Sequence, residues 1–167
     1  SGKVFLDDQD LTAIDANQLA EVRCRRIVFV FQFFNLLPML TVLENVEIAL
    51  MLAGVPPKEQ HERARELLGL VGLADKLQAR PNQLSGGQRQ RVAIARSLAN
   101  DPDILMMDEP SGNLDSKAEQ ELLGNIGKVN QRGKTVVIIT HSPTVAQVAH
   151  RIYYIQDGRL KREAENH

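Results

Sequence analysis

Residues 104–115 read ILMMDEPSGNLD, and this stretch decides the class of fold. Its first four residues are an apolar run of strand length, and two adjacent carboxylates, Asp108 and Glu109, follow that run. Open α/β sheets bind ligands at the carboxyl ends of their strands. Because successive strand residues point in opposite directions, the two acids can take different tasks. An isolated Asp-Glu pair is more often two solvated acids in a turn, so the interpretation depends on the rest of the chain.

Two other strand-like segments also end in polar side chains. RIVFVFQ at 26–32 ends at Gln32, and TVVIITH at 135–141 ends at His141. Such apolar runs are typical of buried parallel strands. Further elements are predicted at 17–25 (helix), 116–131 (helix), after Pro143 (helix) and 151–155 (strand). The alternation predicts an α/β fold with a mainly parallel sheet flanked by helices. Polar groups would then line one sheet edge, a row that suits a γ-phosphate, its metal and its attacking water.

A helical block interrupts this alternation between Thr41 and about Pro81. Thr41 and Glu44 match the T-x-x-E capping box at the start of one helix, and a second helix is predicted over 57–70. We therefore expect an inserted all-helical subdomain. Near the N-terminus, residues 3–6 are predicted to form a short strand that ends in the turn DDQD.

The segment LSGGQ at 84–88 precedes another helical run, RQRVAIARSLA. Ser85 and Gln88 match the S-x-x-Q capping box, and Gly86 and Gly87 make the start of the helix approachable. Free amides, the positive end of the helix dipole and a hydroxyl together make such a start a ready anion site. For these residues alone an ordinary capped helix is the simpler interpretation, so the other motifs must favour the anion site.

Taken in order, these motifs resemble the motif set of the ATPase subunits of ABC transporters, over essentially the whole chain. The resemblance rests on Gln32, LSGGQ at 84–88, ILMMDE at 104–109, SGNLD at 111–115 and His141. It implies a P-loop NTPase-like fold in which Asp108 is the Walker B aspartate and Glu109 the catalytic base. It also implies that Gln32 is the Q-loop glutamine near metal and water, and that His141 is the switch histidine.

The same resemblance implies the cofactors and the first partner. ATP and Mg²⁺ are expected, with Asp108 and Gln32 beside the metal. Ser85, Gly86, Gly87 and Gln88 would form the signature segment, which meets ATP held by the opposite subunit of a head-to-tail dimer. Asp115 would join that contact from the D-loop.

A second implied partner is a transmembrane permease subunit. FQFFNLLPMLTVLENV at 31–46 and DEPSGNLDS at 108–116 look most like the branch that serves lipoprotein release and macrolide export. The apolar segment Phe33 to Leu40 would then be a socket for a cytoplasmic helix of the permease, although core between two subdomains is an equal alternative. The implied location is peripheral, on the cytoplasmic face of the cell membrane. Three positions depart from the family pattern, namely Asp8, Val28 and Ser111.

One motif of the family does not occur in the sequence, the Walker A loop G-x-x-x-x-G-K-[ST]. SGKVFLD at 1–7 resembles the stretch that follows this loop, so we expect an N-terminally truncated chain. Since the loop's lysine and amides hold the β- and γ-phosphates, the chain is not expected to hydrolyse ATP by itself. The Walker A strand would lie between the strand ending at His141 and the one over 152–155. We expect that slot to be closed by rearrangement, by another copy or by a segment outside this sequence.

The resemblance also divides the chain into three parts. Residues 1–40 would hold the remainder of an antiparallel β part and the Q-loop strand. Residues 41–90 would be the helical signature subdomain, and residues 91–167 the Walker B and H-loop part of the core.

Composition limits the function in other ways. The formal net charge of −1 over 167 residues gives no global field for nucleic acid, and no nucleic-acid partner is expected. The lone Cys24 excludes an intramolecular disulfide and fits a reducing compartment. The longest apolar runs are strand-sized, well short of the roughly twenty residues of a membrane span.

Two other hypotheses remain at this point. The chain could be a non-catalytic interaction module that complements a partner's ATP site through its signature helix. It could also be a DNA-repair or translation factor of the same ATPase superfamily. Such factors usually insert coiled coils or zinc modules, and the interval from Gln32 to Leu84 has neither heptads nor cysteines.

Overall fold

A computed structural model describes residues 2–30, 34–112 and 114–165 of the chain. It opens with a small hairpin of β1 (Phe5–Leu6) and β2 (Gln9–Asp10), turned at Asp7 in a left-handed conformation. The expected turn DDQD is therefore shorter than predicted, because its last two residues belong to β2. Helix α1 (Ala16–Arg25) follows, with Asp15 capping its first turn.

The central sheet has three parallel strands in the order β3 (Ile27–Val30), β4 (Ile104–Asp108) and β5 (Thr135–Ile139). The middle strand β4 is the most enclosed, and its residues Leu105 and Met107 are buried. The predicted parallel sheet is thus confirmed. Gln32, the expected end of the first strand, lies outside the described residues.

The helical block predicted from Thr41 to about Pro81 contains α2 (Val42–Leu52) and α3 (Pro57–Leu70). A 3₁₀ turn at Pro81–Gln83 follows, and helix α4 (Gly86–Ser97) packs against both α2 and α3. The capping box predicted for α2 is confirmed, since Thr41 Oγ1 accepts from the Glu44 amide at 3.2 Å and the Thr41 amide donates to Glu44 Oε2 at 2.7 Å. The bond from the Thr41 amide lowers the pKa of Glu44.

One buried cluster joins these helices to the sheet. Its members include residues of α2, α3, α4 and β4, among them Val46, Leu68, Ile94 and Leu105. The proposed division at 1–40, 41–90 and 91–167 stays a prediction. Its second boundary lies inside α4, the helix that contacts both the other helices and the sheet.

The C-terminal part contains α5 (Ser116–Gln131), α6 (Pro143–Gln147) and a hairpin of β6 (Arg151–Gln156) and β7 (Arg159–Glu165). Asp157 and Gly158 both have positive φ, which suits the two-residue turn between these antiparallel strands. The expectation that residues 151–155 continue the parallel sheet is wrong for the described chain, because β6 pairs with β7 and not with β5.

The predicted slot beside β5 is open in the single chain. Ile139 of β5 is 56% exposed and Ile155 of β6 is 73% exposed. Closure by rearrangement within the described residues is therefore wrong, and the open edges count against a closed slot in the isolated chain. Closure by a second copy, or by a segment outside this sequence, stays a prediction. Among the described helices, none has both the length and the apolarity needed to cross a membrane.

Candidate functional site

Glu109 stands directly after β4 in an unusual backbone conformation. Its φ is +43°, in the left-handed region that disfavours residues other than glycine. Its amide donates to the Ile139 carbonyl at 2.9 Å and so extends the pairing of β4 with β5 by one residue. Conformations of this kind cost on the order of 1–3 kcal/mol and persist where the surroundings fix them. The sheet edge therefore fixes the direction of this carboxylate.

The ends of β4 and β5 bring a carboxylate and an imidazole together. His141 Nε2 lies 3.6 Å from Glu109 Oε1. The Glu109 side chain is 24% exposed, whereas that of His141 is 99% exposed. Glu109 Oε1 is buried and has no hydrogen-bond partner in the described part of the chain. The partly exposed carboxylate therefore has unused capacity to accept a proton or a hydrogen bond beside His141.

Asp108 is the last residue of β4 and lies opposite Ile139 in the register. Its side chain is exposed, while that of Glu109 is partly buried, as expected from their opposite directions along the strand. The two acids therefore meet different surroundings, and the pair is not simply two solvated acids in a turn. Gln32, the third predicted member of this edge, lies outside the described residues.

The signature segment starts helix α4 as predicted. Ser85 Oγ accepts from the Gln88 amide at 3.3 Å, and Gln88 Oε1 accepts from the Ser85 amide at 2.9 Å. Gly86 and Gly87 form the first helical turn. The first amides of a helix have no intrahelical partner and carry the positive end of the dipole. This helix start is thus suited to an anion, whereas contact with nucleotide stays a prediction.

Asp115 caps helix α5. Its Oδ1 accepts from the Ala118 amide at 2.8 Å. In the structure this side chain therefore stabilises the start of α5. Its contact with a nucleotide of the opposite subunit stays a prediction. The same first turn carries Glu119, whose Oε1 accepts from Ser142 Oγ at 3.1 Å, beside His141. Nothing in the sequence pattern indicated that link.

Helices α4 and α5 approach each other closely at the signature glycine. A Cβ built on Gly87 would lie 3.0 Å from the Cβ of Ala118, which is tighter than ordinary van der Waals contact. One turn further along, Arg91 forms an ion pair with Glu121. Packing within the chain therefore disfavours a side chain at position 87, as does the predicted anion site.

A double substitution tests this contact. We expect Gly87→Ala to lower the free energy of unfolding, and Ala118→Gly to reduce that loss, with a coupling of about 1 kcal/mol between the two sites. Urea unfolding of the wild type, both single variants and the double variant measures the coupling. Gly124→Ala in α5 is the control, because a Cβ there meets nothing within 4 Å and gains up to about 1 kcal/mol in helix propensity. Strictly additive effects at Gly87 and Ala118 would contradict the contact.

Arg96 of α4 holds the chain just after the undescribed segment 31–33. Its guanidinium donates to the Phe34 carbonyl at 2.9 Å and to the Asn35 carbonyl at 2.7 Å, and both of these residues have positive φ. Burial lowers the pKa of Arg96. This attachment of the expected Q-loop region to α4 spans about sixty residues and was not predicted from the sequence.

Asp108 at the sheet edge is suited to a magnesium ion that phosphate oxygens and water also ligate. The described residues contain no group of three or more metal-ligating side chains. Mg²⁺ is usually held by one or two carboxylates together with substrate phosphates and water. The exposed Asp108 is suited to such a site. The described residues do not form a metal site made of protein ligands alone.

Comparison with known proteins agrees with the geometry. The family model described as ABC transporter matches residues 1–112. An uncharacterised ABC transporter ATP-binding protein of Thermotoga maritima is 52% identical over 96% of this chain and 68% of its own length. The lipoprotein-releasing system ATP-binding protein LolD of Aquifex aeolicus is 44% identical over 97% of this chain and 72% of its own length.

A solved structure is similar to almost the whole of this chain. It is the dimeric, ADP- and phosphate-bound ATP-binding cassette MJ0796, a protein of Methanocaldococcus jannaschii. It superposes with a TM-score of 0.88 at 43% identity and covers 99% of this chain and 73% of that one. The expected P-loop NTPase-like α/β fold is thereby confirmed.

Proposed function

The chain belongs to the ABC transporter family of ATP-binding proteins, and from this premise we propose that it uses ATP hydrolysis to drive substrate movement at a membrane. The observation that carries the proposal is the pairing of Glu109 with His141 at the ends of adjacent strands, 3.6 Å apart. A partly buried carboxylate with a free oxygen beside an exposed imidazole is suited to activate a water beside a phosphate.

Each group at the edge has a proposed task. Glu109 accepts a hydrogen bond from the attacking water and orients that water. His141 forms a hydrogen bond with the γ-phosphate. Asp108, together with Gln32, would hold the magnesium ion. When bound, the metal would neutralise charge on the phosphate oxygens. The residues of this chain position the attacking water and accept its proton, and the bound nucleotide supplies the phosphate that reacts.

The signature segment acts on a second nucleotide. We propose that Ser85, Gly86, Gly87 and Gln88, with Asp115, meet ATP held by a second ATPase subunit in a head-to-tail dimer. The exposed Ser85 supports this, as do the amides of Gly86 and Gly87, which the capping box between Ser85 and Gln88 does not use. The similar archaeal cassette is dimeric, which supports association of this chain with a second ATPase subunit.

A permease subunit is the second proposed partner. Met39 is 78% exposed in the segment Phe33 to Leu40, and Leu37 of the same segment is also exposed. Exposed apolar patches of this kind are typical of protein contacts. We propose that this surface receives a membrane subunit, which would place the chain on the cytoplasmic face of the membrane. Lipoprotein release or export is the proposed process, supported by the likeness to LolD.

A second candidate function is a module that binds ATP only together with a partner. It is favoured by the start of α4, where the exposed Ser85 could meet a nucleotide held by a partner. Magnesium-dependent ATP turnover by the 167-residue chain alone would exclude it.

Association with an intact subunit tests the shared part of both functions. We mix the chain with an intact ABC ATPase subunit that carries its own phosphate-binding loop, and measure ATP-dependent association by light scattering. We expect association with the wild type and at least about a tenfold weaker association with Ser85→Glu, because the new carboxylate would face the partner's γ-phosphate.

Gln131→Glu is the control for that experiment. It adds the same charge at the opposite end of α5 from Asp115, about 24 Å along the helix. The control variant should associate like the wild type. Equal association by Ser85→Glu and the wild type would contradict a nucleotide contact at the start of α4.

A further inference from the structure

Gln90 is a buried amide in helix α4 that none of the family motifs above includes. It is 1% exposed. Its Nε2 donates to the carbonyl of Pro110, twenty residues away in the sequence. Its Oε1 has no hydrogen-bond partner in the part of the chain that the structure describes. Burying a side-chain amide costs free energy unless the amide is hydrogen-bonded. The bond to Pro110 is therefore the contact that offsets the burial of Gln90.

Pro110 immediately follows the candidate catalytic carboxylate. It is buried, and as a proline it has no amide to donate, so its carbonyl is the polar backbone group that it offers. The Glu109 amide is held by Ile139, and the Glu109 carbonyl accepts from the Gly112 amide at 3.2 Å. The turn begins at Glu109, whose φ is positive. Ile139 holds this turn on the sheet side, and Gln90 holds it from α4.

We propose that Gln90 is a positioning residue for Glu109. It holds the Pro110 carbonyl from α4 and thereby keeps the Glu109 carboxylate aimed at the sheet edge where water would be activated. This inference rests on the proposed ATPase function. It also has a geometric consequence, because Gln90 lies one helical turn from Gly86 in the signature segment. The bond to Pro110 therefore joins the first two turns of α4 to the turn that carries the carboxylate.

The substitution Gln90→Met tests the proposal, because it keeps the length and volume of the side chain and removes the donor. The first readout is amide hydrogen exchange of residues 108–114 in the 167-residue chain. We expect exchange in this turn to be about tenfold faster, because loss of a buried hydrogen bond allows local opening. Exchange in α2 and α3 should stay as in the wild type.

The second readout is ATP turnover. It uses the fused chain, in which a segment with a G-x-x-x-x-G-K-[ST] loop from an intact ABC ATPase precedes residue 1. We expect Gln90→Met to lower kcat about 10- to 100-fold with little change in KM for ATP, because a small misplacement of a catalytic group affects the chemical step more than binding.

Gln60→Met is the matched control. Gln60 of α3 also donates its side-chain amide to a backbone carbonyl, that of Val55, but within the helical block. This variant should change neither kcat nor exchange at 108–114.

Each outcome decides the proposal. Wild-type kcat in Gln90→Met would overturn it, and so would wild-type exchange in residues 108–114. So would faster exchange throughout the chain with a lowered Tm, because Gln90 would then act through general packing. If the fused wild type does not hydrolyse ATP, the proposed function fails, and exchange in residues 108–114 alone decides whether Gln90 holds the turn.

Discussion

Glu109→Gln in the fused chain is expected to lower ATP turnover by about 10²- to 10⁴-fold, the contribution typical of a positioned general base. The amide keeps the size of the side chain and its place in the left-handed turn after β4, but it cannot take a proton from water. The variant also removes the negative charge that lies 3.6 Å from His141 Nε2. Phosphate release at saturating ATP measures the effect.

ATP binding should survive that substitution. We expect Glu109→Gln to bind ATP at least as tightly as the wild type, because it removes a negative charge beside the phosphates. Glu66→Gln on the exposed face of α3 is the control and should hydrolyse ATP normally. If Glu109→Gln retained more than about a tenth of wild-type turnover, Glu109 would not be the general base.

The second large effect concerns the phosphate-binding loop. The 167-residue chain alone is expected to show no measurable ATP turnover, and the fused chain is expected to hydrolyse ATP. Each well-placed electrostatic donor contributes about a hundred- to a thousandfold in rate, and the loop supplies several donors together with a lysine. The same segment would supply a strand for the slot between β5 and β6, where Ile139 and Ile155 are exposed.

The control for this prediction is a fused chain whose loop lysine is replaced by alanine. It should fold with the same circular dichroism spectrum and bind ATP weakly or not at all. Turnover by the 167-residue chain alone, at a rate comparable with that of the fused chain, would show that other residues hold the phosphates.

Local signals in the sequence predicted the helices well. The capping boxes at Thr41 and Ser85 involve residues three apart, and the structure has the same hydrogen bonds. Helix α5 begins and ends where predicted because Asp115 caps it and Gly133 follows its end with a positive φ. Such signals depend on neighbouring residues alone, so they can be recognised without the tertiary structure.

Pairing between distant segments could not be predicted in the same way. Residues 151–155 have the composition of a buried strand, yet β6 pairs only with β7 in the described chain. The Asp-Gly pair at 157–158, between these two strands, is the local signal for that hairpin. Gln90 was missed because its partner Pro110 is brought to it by the packing of α4 against the turn after β4.

In the candidate site, too, the local features could be predicted from the sequence and the long-range geometry could not. The sequence placed polar residues at strand ends, and the ends of parallel strands necessarily share one edge. The distance between Glu109 and His141 depends on the register of β4 with β5, in which Asp108 pairs with Ile139. No periodicity in the sequence encodes that register.

The most direct measurement is the crystal structure of the fused Glu109→Gln variant with ATP and Mg²⁺. The γ-phosphate should lie at the carboxyl ends of β4 and β5, within hydrogen-bond reach of His141 and of a water held by residue 109, with Ser85 of a second copy on its other side. A nucleotide bound away from this edge, or His141 turned away from the phosphate, would contradict ATP hydrolysis at these strand ends.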